Sequence, residues 1–277
     1  MPRKVTPFSI SPNPVSLYLT EALEAALYRI RYTVDYRQGL TTILGDVGVG
    51  KSSLVRYAHA ELDAREDVTS LLIPTPSFST DYAMIQTIAG AVDLPPRKSV
   101  LQHLRELEAW LGEEFMADRA VVLFIDEAQK LSFKMLELVR SLLNFETNDA
   151  KLIQIVLAGQ LELRDRLKGK KLKALYSRLT MPTVLPPMSL KEVNSMITYR
   201  CKYWKVENPF PAPTIQRIYE MASGNPREVL RICATAFPMI GLLGLDKATP
   251  EIAEQAFSEL QLNDAEAAIE EEALEMA

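Results

Sequence analysis

Cysteine is nearly absent, with two residues in 277. Cys201 and Cys233 have neither a framework of partners nor metal-ligand spacing, which excludes a disulfide-stapled fold and predicts two small apolar packing residues. Histidine is as scarce: His59 and His103 stand alone on segments of helical pattern, so a packing or surface role is expected rather than a metal centre. No run of about 18 apolar residues occurs, which excludes a membrane-spanning helix. The opening Met1-Pro2-Arg3-Lys4-Val5-Thr6-Pro7 lacks the apolar core of a secretory signal, so the expectation is a cytoplasmic protein without membrane insertion. A large net charge is missing too. The formal charge is −5, but six acids and no base lie in the last fourteen residues, so the chain without them carries +1. Acidity confined to a tail is a weak argument against a nucleic-acid partner.

What remains is the composition of a globular protein with an adequate core, 48% apolar and 24% charged. The length predicts one large domain and a smaller one. Glycine is sparse as well, eleven in all, yet three of them fall between Gly45 and Gly50. An apolar, β-branched run from Thr41 to Leu44 stops at Gly45, and the loop Gly45-Asp46-Val47-Gly48-Val49-Gly50-Lys51-Ser52-Ser53 leads into helical spacing at Leu54, Ala58 and Leu62. This is the G-x-x-x-x-G-K-[ST] pattern in its strand-then-helix context. Its glycines let backbone N–H groups turn inward around a phosphate, and the next helix presents its N-terminus to the same anion. Lys51 supplies a positive charge to the β- and γ-phosphates, and Ser52 a hydroxyl to Mg²⁺. The stretch from Gly45 to Ser53 therefore predicts binding of a nucleoside triphosphate with Mg²⁺.

Around that loop the chain reads as a proline-rich arm over residues 1–19, from which four prolines exclude helix. A helix with Leu23, Leu27, Ile30 and Val34 on one stripe comes next. Further strands are predicted at Val68–Ile73, Ala120–Ile125, Leu152–Ala158 and Met181–Leu185, the third of these five strands apolar on both faces as a central parallel strand is. Helices are predicted over Asp81–Val92, Val100–Phe115 and Leu131–Phe145. After Pro186-Pro187 the pattern turns wholly helical. Ser189 and Glu192 form a capping box opening a helix to about Trp204, and helices follow near Thr214–Ala222, Pro226–Phe237 and after Thr249-Pro250. The expected organisation is an α/β domain over 1–187, a helical domain over 188–262 and a disordered acidic tail over 263–277.

Asp126 and Glu127 end a buried strand, the edge on which α/β folds bind ligands. Val121-Val122-Leu123-Phe124-Ile125-Asp126-Glu127 is a Walker B pattern. Asp126 is expected to hold Mg²⁺, directly or through water, and Glu127 to orient and deprotonate the attacking water. Gln160 ends the next strand, either touching the γ-phosphate and that water or bonded to backbone. Arg178 and Arg227 are candidates to stabilise the transition state, with Arg140, Arg164 and Arg166 as rivals. The segment Arg164–Arg178 holds three arginines and Lys168, Lys170, Lys171 and Lys173 against one acid, Asp165. It reads either as a phosphate-tracking surface or as a solvated lysine-rich helix.

Over about residues 7–260 the chain resembles AAA+ ATPases of the general secretion pathway protein A (ExeA) type. The resemblance rests on Pro7-Phe8-Ser9 with Pro12-Asn13-Pro14 and Leu17-Tyr18, on Gly45 to Ser52, and on Ile125-Asp126-Glu127-Ala128-Gln129. It continues through Leu143-Asn144-Phe145-Glu146-Thr147, Lys151 to Leu157, Gly159-Gln160-Leu161-Glu162-Leu163-Arg164 and Ser223-Gly224-Asn225-Pro226-Arg227. It implies an ATPase with a five-stranded parallel core and a helical lid, assembled into homo-oligomeric rings or spirals. It also implies that Gln160 is sensor 1, Arg227 is sensor 2, Arg178 is the finger reaching the next subunit's ATP, and Tyr18 lies near the adenine. Secretion members of the family carry a membrane segment and a periplasmic region after the ATPase. The acidic tail in their place makes the chain similar to the TniB, TnsC and Mu B type regulators of DNA transposition, which polymerise on duplex DNA with ATP and recruit a transposase. A secretion or envelope-assembly ATPase and a nucleotide-gated scaffold with slow hydrolysis are the alternatives.

Overall fold

The computed structural model describes residues 7–11 and 14–275. Pro2, Pro12 and Asn13, which the sequence reading assigned to the proline-rich arm, lie outside the described residues. By contact the chain divides into two compact units, one of residues 13–47 and 51–186, the other of residues 1–12, 48–50 and 187–277.

The first unit is an α/β layer structure. In chain order it contains α1 (Glu21–Asp35), β1 (Leu40–Leu44), α2 (Lys51–Asp63), β2 (Val68–Ile73), α3 (Asp81–Gly90), α4 (Val100–Met116), β3 (Ala120–Ile125), α5 (Phe133–Leu142), β4 (Ile153–Gly159), α6 (Leu161–Lys168), α7 (Lys173–Tyr176) and β5 (Thr183–Val184). The five strands form one parallel sheet in the order β2-β3-β4-β1-β5. Every residue of β1, β3 and β4 is buried, as central strands covered by helices on both faces must be. Register pairs Leu40 with Ile155 and Leu123 with the same Ile155, so apolar side chains stack across the sheet. Leu136, Val139 and Leu142 of α5 and Ile85 and Ile88 of α3 pack into that cluster. Each such fully buried aliphatic side chain contributes roughly 1.5–3 kcal/mol. Because the strands are parallel, the C-terminal ends of β1, β3 and β4 open on one edge, and their N-terminal ends on the other.

The second unit carries α8 (Leu190–Tyr203), α9 (Ala212–Ala222), α10 (Pro226–Leu242) and α11 (Pro250–Glu275). The Ser189–Glu192 capping box is formed in full, with the Ser189 N–H donating to Glu192 Oε2 at 2.8 Å. Phe8 of the N-terminal arm is fully buried in this unit, edge-on to Phe210 and Phe237. Buried Arg200 donates to the carbonyl oxygens of Pro7 at 3.2 Å and Ser9 at 2.8 Å.

Several elements differ from the sequence expectation for identifiable reasons. Among its described residues the arm contains a 3-10 turn, Pro14–Ser16, which a proline at its first position permits. β5 shrinks to two residues because Met181 sits at φ +48°, outside extended geometry, and Pro182 has no N–H to pair. The helix expected from Leu131 begins at Phe133, where Ser132 caps it. α10 runs past Phe237 through Pro238 to Leu242, with Ala236 and Ile240 buried on either side of the proline. The acidic segment expected to be disordered continues α11 as far as Glu275, in keeping with its Ala, Glu and Leu content. The thiols of Cys201 and Cys233 are free and buried, and burial pushes the Cys201 thiol up to about 11.

Candidate nucleotide site

The phosphate loop leaves the C-terminal end of β1, and Gly48 (φ +85°) and Gly50 (φ +101°) take the left-handed conformations that turn its N–H groups inward. α2 opens at Lys51 with no acid in its first turn, so its N-terminal dipole is left for an anion. Lys51 is 6% exposed, and its Nζ donates to the carbonyls of Gly45 at 2.9 Å and Asp46 at 2.7 Å. A cation is thereby fixed inside the curl of the loop.

Asp126, at the end of β3, comes to the same edge of the sheet and is 4% exposed. Its Oδ1 accepts the Glu127 N–H at 2.9 Å, and the Ser52 side chain lies close enough to favour its ionised form. Burial nevertheless pushes its carboxyl above the ordinary value, opposed by Ser52, the Glu127 N–H and the Lys51 charge. A divalent cation beside Asp126 would restore the ionised form, so the pair Ser52 and Asp126 fits Mg²⁺. No group of three or more His, Cys, Asp or Glu side chains gathers among the described residues, so there is no all-protein cage. One hydroxyl and one carboxylate suit an ion that keeps its waters and takes phosphate oxygens.

Glu127 is half-buried, with φ +52° at the head of the turn Ala128–Lys130. Its Oε2 accepts from Gln129 Nε2 at 2.6 Å. Gln160 caps α6 without a side-chain bond to the helix, and its backbone N–H donates to Gln129 Oε1 at 3.2 Å. The side chain of Gln160 is therefore not consumed by the strand end. Tyr18 is half-buried in the segment leading to α1.

Arg178 stands at the other edge of the sheet. Leu179 bridges to Leu40, the first residue of β1, and Arg178 Nη1 donates to the Arg140 carbonyl at 2.8 Å. The five residues of β1 span about 16 Å, so this guanidinium does not join the Lys51, Asp126 and Glu127 cluster of its own chain. Its rivals are engaged elsewhere. Arg166 donates to the carbonyls of Gln129 and Leu131, Arg140 pairs with Glu137 and Arg164 with Asp165. Arg227 is exposed at the start of α10, where the Asn225 side chain caps the helix. Its backbone N–H donates to Gly48 O at 3.3 Å, and a Cβ at Gly48 would stand 2.4 Å from Asn225 Oδ1. Gly48–Gly50 belong by contact to the same unit as Asn225 and Arg227.

In the sequence Gln129 and Asn225 stand out only as parts of the Ile125–Gln129 and Ser223–Arg227 motifs. Spacing alone gave no signal that Gln129 joins Glu127 to the end of β4, because its second partner lies 31 residues away.

Residues 34–167 match the AAA domain family. Over 235 residues the chain is 32% identical to general secretion pathway protein A of Aeromonas hydrophila, covering 83% of this chain and 42% of that protein. The chain thus spans less than half the length of that relative. The fold is shared with the Aeropyrum pernix ORC2 protein in its ADPNP–ADP complexes, with a TM-score of 0.69 at 16% identity over 91% of this chain and 70% of that one. The Aeropyrum pernix ORC1 protein in complex with DNA gives a TM-score of 0.66 at 16% identity, over 92% and 69% of the two chains. Phosphate loop, strand-end acids, sheet order and sequence agree: residues 34–167 are an AAA domain, in a chain similar to general secretion pathway protein A.

Proposed function

We propose that the chain is an ATPase, binding ATP through Gly45–Ser53 and hydrolysing it at sites completed by a second copy. The observation that carries this reading is the convergence of Lys51 and Ser52 with Asp126 and Glu127 on one edge of the sheet. Ser52 and Asp126 would hold Mg²⁺, which would supply charge neutralisation of the phosphates. Lys51 binds the β- and γ-phosphates, Glu127 takes the proton of the attacking water, and Gln160 orients that water from the end of β4. Arg227 contacts the nucleotide as sensor 2, and Tyr18 lies against the adenine. Arg178 acts on the ATP of the neighbouring copy, a reading that its place at the opposite strand ends supports, so activity needs a ring or spiral.

The assembly forms on duplex DNA and serves as a transposition regulator recruiting a transposase. Lys168, Lys170, Lys171 and Lys173 are all exposed, a backbone-directed cationic surface. The DNA complex of the fold relative ORC1 is in keeping with this use of the fold. The second reading, a secretion ATPase working with a membrane partner, is favoured by the identity to general secretion pathway protein A.

Phosphate release and duplex binding, measured with ATP across a salt series, test the two levels separately. Turnover that Glu127→Gln abolishes, with duplex affinity falling as salt rises, is the expected result. Wild-type turnover no higher than that of the variant removes the ATPase. Turnover without duplex affinity at low salt removes the transposition reading and leaves the secretion one.

A further inference from the structure

Gln129 uses both ends of its amide. Nε2 donates to Glu127 Oε2 at 2.6 Å, and Oε1 accepts the Gln160 backbone N–H at 3.2 Å. The opposite orientation would set oxygen against carboxylate and N–H against N–H, so the partners themselves fix which way the amide lies. The side chain is also confined in space. A Cβ on Gly159 would come within 2.9 Å of Gln129 Oε1 and 3.3 Å of its backbone nitrogen, so only glycine there lets Gln129 lie against the end of β4. The backbone is clasped as well, because Arg166 of α6 donates to the carbonyls of Gln129 at 2.5 Å and Leu131 at 2.6 Å. A half-buried glutamine on a turn would ordinarily reach water with one end. This one has a protein partner at each end of its amide and at its backbone carbonyl oxygen.

We propose that Gln129 is a positioning residue for hydrolysis: it holds one oxygen of Glu127, leaves Oε1 for the attacking water, and indexes the carboxylate to the backbone of Gln160. This rests on the assignment of Glu127 as the base. The consequence is that the base and the polar residue at the end of β4 keep one mutual geometry, whichever way the rest of Glu127 could rotate. Because the bond to Gln160 uses its backbone, the Gln160 side chain stays available for the nucleotide.

The test compares Gln129→Ala and Gln129→Glu with wild type in phosphate release, equilibrium ATP affinity and thermal midpoint. Gln129→Glu keeps the shape of the side chain while removing the donor and setting a second carboxylate beside Glu127. Both variants are expected to lose about 10–100-fold in kcat, out of the roughly 10²–10⁴ that a positioned base contributes, with KM and ATP affinity within about twofold. Adding Gln129→Ala to Glu127→Gln is expected to cause no further loss, since the two act through one group. Gly159→Ala, which displaces Gln129 without altering it, is expected to reproduce the kcat effect. Wild-type kcat in Gln129→Glu, or a fall in ATP affinity parallel to the fall in kcat, overturns the proposal. Wild-type turnover in Glu127→Gln alone overturns the assignment of the base instead.

Discussion

Arg178 is tied to Arg140 by a 2.8 Å hydrogen bond from its guanidinium to the carbonyl at the N-terminal edge of the sheet, while Lys51 and Asp126 occupy the C-terminal edge. The role proposed for a guanidinium so placed is at a phosphate on another copy. Arg178→Ala is therefore expected to lower turnover by about 10³-fold, the lower end for a lost arginine finger, with ATP affinity within about twofold. Mixing it with Lys51→Ala gives the decisive measurement. Each variant is expected to turn over little alone, but the intact site of one can meet the intact arginine of the other, so phosphate release should return in the mixture. A mixture as inactive as its components would leave Arg178 a structural residue of the α5–α7 edge.

Gly48 makes a second prediction, about binding. A methyl group there would meet Asn225 Oδ1 at 2.4 Å and Arg227 Cβ at 2.9 Å, on a backbone already at φ +85°. At Gly50 an added Cβ meets nothing within 4 Å, and only the strain of φ +101° remains, about 1–2 kcal/mol. Gly48→Ala should therefore weaken ATP binding more than Gly50→Ala, by a further factor of about 10. Equilibrium titration with a fluorescent ATP analogue measures both. Equal losses would mean that the crowding at Asn225 carries no weight.

Sequence legibility varied with the origin of each element. β1, β3 and β4 were readable because central parallel strands are apolar on both faces, and the burial of Val121 through Ile125 bears this out. The glycine loop and the strand-end acids were readable because phosphate chemistry needs those residue types in order. α6 and α7 were not resolved as separate helices, since only Leu163, Leu167, Leu172 and Leu175 mark their buried side among many charges. Met181 could not be seen to leave extended geometry, because positive φ at a non-glycine residue is a consequence of its surroundings. The partners of Gln129 and the shared edge of Arg178 and Arg140 depend on pairings distant in sequence, which a local pattern does not carry.

The arm gives a third prediction. Phe8 is fully buried between Phe210 and Phe237, with centroids 5.4 and 5.6 Å away, and Arg200 holds the carbonyls on either side of it. Phe8→Ala removes a ring that its neighbours cannot replace and should cost about 3–5 kcal/mol. The thermal midpoint of the helical unit should fall by on the order of 10 °C. Followed by near-ultraviolet signals of the aromatic cluster, an unchanged midpoint would show that the arm is peripheral to that unit.

The final prediction concerns pH and the β2 edge of the sheet. Glu114 on α4 is 7% exposed, receives the Arg119 guanidinium at 2.5 and 2.8 Å and the Thr69 hydroxyl at 3.0 Å, and its carboxyl is held below the ordinary value chiefly by the Arg119 bond. A folded-state value below the unfolded one means that the unfolded chain binds more protons over the intervening range. The stabilisation is then complete above the unfolded value of about 4.3 and disappears as pH falls through the lower folded value. Glu114→Gln should lower stability at neutral pH by on the order of 1 kcal/mol. The deficit should shrink as pH falls below the carboxylate range, where wild-type Glu114 is itself protonated. Denaturant midpoints of the two proteins at both pH values check the sign, and a deficit that widens on acidification would contradict the assigned partners of Glu114.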